Sequence, residues 1–453
     1  MNHFITSFLR HLIIICLGGA PLALLGQWAS AGSGFTGNSL KVYSIALVDT
    51  STIWAVPRDA QFDEAALFFT RSLNGGATWD ARSFQASGDL TPVHIFALDG
   101  DIAWMCLTDF NDRDGAGMLK TTNGGIAWTT LTGDFTQTGH NLKAAHFFDA
   151  NVGVAFGSTG TNAGNQDNLH IYRTTDGGAT WTTLSNLPAI ESGEGSWTDA
   201  GNGGYEVVGD NIWFGSTTGR VWYSTDQGAT WAASSTGFSG NNTSVSSVAF
   251  RDANNGLAVS EGNQVARTTN GGASWAVISS PTTPPSTIGI EYVPGTAGTY
   301  VIWDGPFNSR DHSYTNDEGD NWATISGGGF SMDCMVFANA DFGLGGSTVT
   351  NAQVGGVYRW DGKAPGVTGL FGVAEETRFS LYPNPAQGLV NVVVEEAGPF
   401  SVEVWDLNGR SMGIAGKGVA NSLELDIQDL QPGLYLMQVR QGDRSVFEKF
   451  TVY

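Results

Sequence analysis

The sequence predicts an all-β chain: a seven-bladed β-propeller followed by a small C-terminal β-sandwich. Three observations carry that reading. The pattern Ser/Thr-x-Asp/Asn-x-Gly-x-x-Trp recurs six times, and its tryptophans (Trp79, Trp128, Trp181, Trp231, Trp275, Trp322) stand 49, 53, 50, 44 and 47 residues apart. A fixed period of this length marks a repeat architecture. Short runs of alternating apolar residues, separated by turn clusters, precede every copy, as in half-buried antiparallel strands. Gly is 62 of 453 residues, with 15 Trp and 25 Phe, which suits many tight turns between aromatic-rich strands. Four strands in a repeat of about 45 residues make one propeller blade.

Taken in order, residues 1–26 read as a signal peptide. Arg10 is its positive charge, and Leu12 to Leu25 is its apolar run, broken by Gly18, Gly19 and Pro21. That run is too short and interrupted for a spanning helix, so no transmembrane segment is expected. Cleavage could follow Gly26 or Ala31. Residues 27–363 hold the repeats. In the third copy the strands are expected at Leu142 to Phe148, Val152 to Gly157, His170 to Thr174 and from Trp181 onward. In the fifth they are Val245 to Phe250, Gly256 to Ser260, Gln264 to Thr268 and from Trp275 onward. The seventh blade has three strands and the start of a turn near Asp361, with no box tryptophan following. Residues Trp28 to Phe35 (WASAGSGF) match Trp231 to Phe238 (WAASSTGF), so the N-terminal strand is expected to close the ring. Closure then needs Trp28 and favours cleavage after Gly26. Residues 364–377 form a linker, and 378–453 form a separate domain with clear strands at Leu389 to Val394, Phe400 to Trp405 and Gly433 to Val439.

The six boxes are Asn74 with Trp79, Asn123 with Trp128, Asp176 with Trp181, Asp226 with Trp231, Asn270 with Trp275 and Asp317 with Trp322. They resemble the Asp-box, or BNR repeat, of sialidase-like propellers and of photosystem II assembly-factor-like propellers. Asn replaces Asp in half of them, which suits a hydrogen-bond acceptor in an Asx-turn and not a catalytic acid. A sialidase would need three arginines clamping a carboxylate. Arg71, Arg173, Arg267 and Arg359 precede boxes at equivalent positions and read as blade parts, leaving Arg113, Arg220 and Arg310 without recognisable partners. The C-terminal segments Phe379 to Ala386, Val402 to Arg410 and Leu430 to Val439 resemble a type A sorting domain of the type IX secretion system. That resemblance implies the type IX machinery as partner and a secreted or outer-cell-surface location.

Composition narrows the chemistry. With 43 acidic against 21 basic residues the net charge is −22, which repels a phosphate backbone and argues against nucleic acid as a partner. Neither Cys106 nor Cys334 sits in a CxxC or metal-ligand spacing, so both are expected as buried free thiols, and no metal or cofactor is expected. The loops joining strands two to three and four to one are the expected ligand face. Its candidates are Asp112, Arg113 and Asp114 in blade two, Glu191, Glu194 and Trp197 between blades three and four, and Trp303, Arg310 and Asp311 in blade six. The catalytic residues are unknown, since no triad or HExxH stands in the chain. The expectation is a binding propeller for a glycan or protein ligand. The alternatives are a glycoside hydrolase, which would need two flanking carboxylates, and an assembly scaffold.

Overall fold

The fold is taken from a computed structural model. The described residues are 27–452 apart from 38, 60–65, 87–88, 110–114, 138, 160–167, 197–203, 280–288, 304–311, 326–330, 362–378, 395–397, 406–410 and 442–443. The chain divides into two units, Met1–Gly366 and Val367–Tyr453.

The first unit is built of four-stranded antiparallel meanders. After β1 (Gln27–Gly32), blade one is β2 (Leu40–Leu47), β3 (Ile53–Asp59), β4 (Phe68–Ser72) and β5 (Asp80–Ser83). Blade two is β6 (Leu90–Ala97), β7 (Ala103–Asp109), β8 (Ala116–Thr121) and β9 (Thr129–Leu131). Blade three is β10 (His140–Phe147), β11 (Gly153–Thr159), β12 (Asn168–Thr174) and β13 (Thr182–Thr183). Blade four is β14 (Tyr205–Val208), β15 (Asn211–Gly215), β16 (Arg220–Ser224) and β17 (Ala232–Ser235). Blade five is β18 (Val245–Phe250), β19 (Gly256–Ser260), β20 (Val265–Thr268) and β21 (Ala276–Val277). Blade six is β22 (Gly289–Tyr292), β23 (Tyr300–Trp303), β24 (His312–Thr315) and β25 (Ala323–Ile325). Blade seven contributes β26 (Cys334–Asn339), β27 (Phe342–Asn351) and β28 (Val354–Asp361). The first strands of most neighbouring blades stand against one another around the axis. The apolar cores lie between blades: each of seven clusters among the described residues is shared by two neighbours. Cys106 and Cys334 are free and buried in two of these cores.

Blade seven takes its outer strand from the chain's N-terminal part. β1 runs antiparallel to β28, with Trp28 opposite Trp360 and Ala29 opposite Arg359. In blade one, Asp80 stands opposite Arg71, so Trp28 occupies the register place that Trp79 holds there. Its ring meets Trp360 edge-on at 5.2 Å and Phe337 at 6.0 Å. Ser30 Oγ also accepts a bond from the Gly355 N–H, 325 residues away.

All six boxes are wired alike. The Ser/Thr hydroxyl donates to the Asp/Asn Oδ1, as Thr174 does to Asp176 at 2.8 Å. The same hydroxyl accepts the N–H of the pattern's glycine. Oδ1 then accepts the N–H four residues on. Asp and Asn serve equally because only an acceptor is required; the second atom adapts, Asp176 Oδ2 accepting from Thr180 and Asn270 Nδ2 donating to Ser274. That glycine is obligatory: Gly125 has φ +79°, and a Cβ there would stand 2.3 Å from the Phe69 ring. Bonds from the Thr180 hydroxyl and N–H hold the Asp176 carboxyl down to about 2.

Four of the six boxes are preceded by a cation that reaches the next blade, whereas Tyr223 and Tyr314 precede the other two. Lys120 Nζ donates to Gly177 O at 3.0 Å, Arg173 Nε to Gln227 O at 3.1 Å and Arg267 Nε to Glu318 O at 3.0 Å. Arg71 donates to Gly100 O. These side chains are staples between blades, which is why they recur.

The second unit is a two-layer sandwich. Its strands are β29 (Phe379–Gln387), β30 (Leu389–Val394), β31 (Phe400–Trp405), β32 (Ser411–Gly418), β33 (Ser422–Asp426), β34 (Gly433–Gln441) and β35 (Arg444–Val452). They follow the order β32-β31-β34-β35-β29-β30-β33. β29 joins the layers, pairing with β30 along most of its length and in parallel with β35 at Ala386. Alternation produces the core: Val390, Val392 and Val394 from one layer face Val402, Val404, Met437 and Val439 of the other. Asn408-Gly409, which the sequence marks as a hairpin turn between strands, lies outside the described residues.

Candidate functional site

Antiparallel meanders put all connections of one type at one end of the blades. The boxes and the strand one-to-two turns share the lower end. The strand two-to-three and four-to-one connections share the upper end. At the lower end the box acceptors are all satisfied internally. The turn carboxylates are satisfied too: Asp49, Asp99, Asp149 and Asp252 each accept the N–H groups two and three residues on. Such carboxylates are structural acceptors, and Asp49, Asp149 and Asp252 titrate below the usual range.

Of the upper-end candidates, Asp112, Arg113, Asp114, Trp197, Arg310 and Asp311 lie outside the described residues. Two others are corrected. Trp303 is 0% exposed and sits in the core between blades six and seven. It stands opposite Gly289, where a Cβ would fall 2.0 Å from its ring, so the glycine makes room for it. Glu194 is also 0% exposed and has no capacity left for a ligand. Its Oε1 accepts from Ser216 Oγ at 2.8 Å, Trp222 Nε1 at 2.8 Å and Thr218 Oγ1 at 3.1 Å. Its Oε2 accepts from Glu191 N at 2.9 Å and Arg220 Nη1 at 3.0 Å. Glu191 remains exposed, 3.6 Å from Arg220.

The structure gathers polar residues that sequence reasoning left apart. Around the axis, His94 lies 5.4 Å from Tyr205 between ring centres, and His146 lies 6.0 Å from the same ring. His94 is 4% exposed and its Nδ1 has no partner among the described residues. Burial pushes both imidazoles down to about 3, so they are neutral at ordinary pH. Glu206 and Glu291 occupy the same strand-one position as His146. Each stands opposite the strand-two residue that pairs with the residue preceding the box position. Glu206 accepts the N–H of Phe250 and Glu291 that of Phe337, on the next blade in each case. Burial raises the Glu206 carboxyl to about 7 and raises Glu291 as well, Glu206 adding to the latter. Aligning the repeats on the box would have exposed this ring as Ala46, Phe96, His146, Glu206, Ala249, Glu291 and Val336.

A pH dependence follows. Glu206 holds its proton in the folded state up to about 7, whereas an unfolded Glu loses it near 4.3. Its favourable contribution is full below the unfolded value and is lost as pH rises through about 7. Thermal unfolding of Glu206→Gln between pH 4 and 8 should show a shallower decline toward neutral pH than the parent. An identical pH profile would exclude a raised carboxyl.

Two further upper-end features stand out. His140, His170 and Tyr172 cluster on blade three, with His140 Nδ1 2.7 Å from the Tyr172 hydroxyl. On blade one, a cavity of 340 Å³ opens between the segment after β1 and the strand two-to-three connection. Phe35, Leu40, Asp59, Ala66, Phe68 and Arg82 line it. Phe68 is 41% exposed and meets Phe35 edge-on.

Comparison with known proteins agrees with this architecture. The model of the secretion system C-terminal sorting domain matches residues 380–453, and the BNR/Asp-box repeat model matches residues 222–233. No curated protein matches the sequence. Among solved structures, YCF48 bound to D1 peptide is 15% identical with a TM-score of 0.53, over 74% of this chain and 97% of that one. YCF48 from Cyanidioschyzon merolae is 16% identical with a TM-score of 0.50, over 74% and 98%. A GH74 enzyme of Niastella koreensis is 15% identical over 89% and 68%, but its TM-score of 0.29 carries no argument. With six identically wired boxes, the inter-blade cores and the terminal sandwich, the chain is a BNR/Asp-box β-propeller protein carrying a secretion-system C-terminal sorting domain.

Proposed function

We propose that this protein is an exported binding propeller, which holds a glycan or a protein segment at its upper end and does not turn it over. The observation that carries the reading is the 340 Å³ cavity on blade one. It has the size of a small-ligand site and combines an exposed phenylalanine with the charged groups Asp59 and Arg82. The Arg82 guanidinium is already oriented by Asp80, at 2.9 Å. That a propeller of similar fold has been solved with a peptide bound supports the reading by analogy only. Screening the purified protein on glycan and peptide arrays should find a ligand whose retention is lost in Phe68→Ala with Arg82→Ala. Hydrolysis of a substrate in a glycosidase panel would overturn the reading in favour of a glycoside hydrolase.

The proposed route begins with removal of residues 1–26, so that the mature chain starts at Gln27 and keeps Trp28 in the ring. Residues 364–377 then tether the 378–453 domain, which addresses the chain to the type IX machinery and to the cell surface or medium. Among the described residues no helix is long and apolar enough to cross a membrane. Deleting 378–453 should leave a folded propeller in the periplasm, detected by fractionation. Appearance of the truncated chain in the medium would refute the sorting role.

A further inference from the structure

We propose that Asn123 is a modification site of the folded protein, losing its side-chain amide to become aspartate or isoaspartate, while the equivalent Asn74 and Asn270 are spared. Three boxes place Asn directly before Gly: Asn74-Gly75, Asn123-Gly124 and Asn270-Gly271. All three asparagines are exposed. A glycine has no Cβ to shield its backbone nitrogen, which is therefore open to attack the asparagine before it. The Gly124 nitrogen bonds to Asn123 Cγ, the Cγ–Nδ2 bond breaks, and Nδ2 leaves as ammonia with the proton that the nitrogen gives up. A water molecule then opens the succinimide at either carbonyl, giving aspartate or isoaspartate. Nothing is oxidised or reduced.

Two features are common to the three copies. Oδ1 accepts two donors in each, at Asn123 the Thr121 hydroxyl at 3.0 Å and the Ala127 N–H at 2.9 Å, and these stabilise the oxyanion that attack on Cγ creates. The glycine N–H is tied to a strand one-to-two turn: Gly75 donates to Ser51 O at 2.9 Å, Gly124 to Asp101 O at 3.0 Å and Gly271 to Asn254 O at 2.9 Å. That bond slows the attack relative to an unfolded chain. Two differences then single out Asn123. Asn74 Nδ2 donates to Thr78 Oγ1 and Asn270 Nδ2 to Ser274 Oγ, each at 2.9 Å, and ammonia cannot leave until that bond breaks. In the second box Ala127 holds the corresponding place, and Asn123 Nδ2 has no protein partner among the described residues. The other difference is charge. The Arg71 guanidinium lies so near Gly124 that a Cβ there would collide with it, whereas a Cβ at Gly75 or Gly271 would meet a backbone carbonyl oxygen, that of Thr50 or Ala253. A cation favours the nitrogen that is giving up its proton. Arg71 also stands 3.6 Å from Asp101, whose side chain is 75% exposed and so offsets little of that charge. Asn255 precedes a glycine as well, but both Asp252 carboxylate oxygens hold its Nδ2 at 2.9 Å. Aspartate at 123 fits the box, which is wired in the same way around Asp176, Asp226 and Asp317. Isoaspartate lengthens the main chain by a methylene and does not.

The test is peptide mapping by mass spectrometry of the full chain aged in warm, mildly alkaline buffer, folded and in urea. Each asparagine is compared with its own rate in urea, which removes any difference in intrinsic reactivity. On that scale Asn123 in the folded chain should convert about two- to tenfold faster than Asn74 and Asn270, the rate equivalent of one hydrogen bond. Ala127→Thr supplies the missing hydroxyl at an exposed position and should bring Asn123 down to the rate of Asn74. Arg71→Gln should slow Asn123 in the folded chain and leave its rate in urea unchanged. Thermal unfolding of both variants is the folding control, with Ala127→Ser replacing Ala127→Thr if that variant fails to fold. Asn74 or Asn270 converting as fast as Asn123 on this scale, no conversion of Asn123 in the folded chain, or an unchanged Asn123 rate in the Ala127 variant would overturn the proposal.

Discussion

Trp28→Ala is expected to lower the stability of the propeller by about 3–5 kcal/mol, the range for truncating a buried tryptophan. The side chain is 7% exposed and belongs to the core between blades six and seven, with Trp303, Trp360, Met335 and Phe337. A neighbouring blade could relax around a lost side chain, but β1 has no covalent continuity with blade seven. It is held there by its ladder to β28 and by this ring. The loss should therefore appear as a lower denaturation midpoint together with early proteolysis at the N-terminus. Trp28→Phe, which keeps an aromatic ring, should lose less. An unchanged midpoint in Trp28→Ala would show that the ring is sealed without β1.

Glu194→Ala is expected to cost a similar 3–5 kcal/mol, because removing one member of a buried ion pair strands the other. Arg220 would lose its 3.0 Å contact, and Ser216, Thr218 and Trp222 would lose a shared acceptor. The corner also joins blades: the Glu194 carbonyl accepts the Leu169 N–H of blade three, while its side-chain donors come from blade four. Glu191→Ala is the matching control. Its side chain is 55% exposed and 3.6 Å from Arg220, so its removal should change stability by under about 1 kcal/mol. Equal losses in the two variants, measured by urea unfolding, would show that burial of Glu194 is not what matters.

Local chemistry made the fold legible. The box is a self-contained turn, so six copies announced themselves and fixed the strands around them. Strands Val245–Phe250 and Gly256–Ser260 fall where the fifth copy places them. In the third copy the first strand starts two residues earlier than expected, at His140, since a bulge after Leu142 lets the ladder continue. The upper end was less legible because its chemistry is set by partners remote in sequence. Glu194 reads as one more acidic loop residue until the donors 22 to 28 residues onward fold over it. Trp303 reads as a loop aromatic until Gly289 is seen opposite it. The pairing of His140 with His170 needs the register of three strands, and the ring of His146, Glu206 and Glu291 needs seven blades superposed.

The swapped outer strand also sets a clock. Ser30 and its partner Gly355 are 325 residues apart. At roughly 5–20 residues per second of synthesis, β1 waits on the order of tens of seconds for β28 to be made. Until then an emerging chain carries an aromatic strand without a sheet and a last blade without a rim. A translation product that stops before residue 354 lacks β28 and has no partner for Trp28. The ring thus tests its own length: only a polypeptide completed through blade seven can hide both loose ends from proteases and from one another's copies.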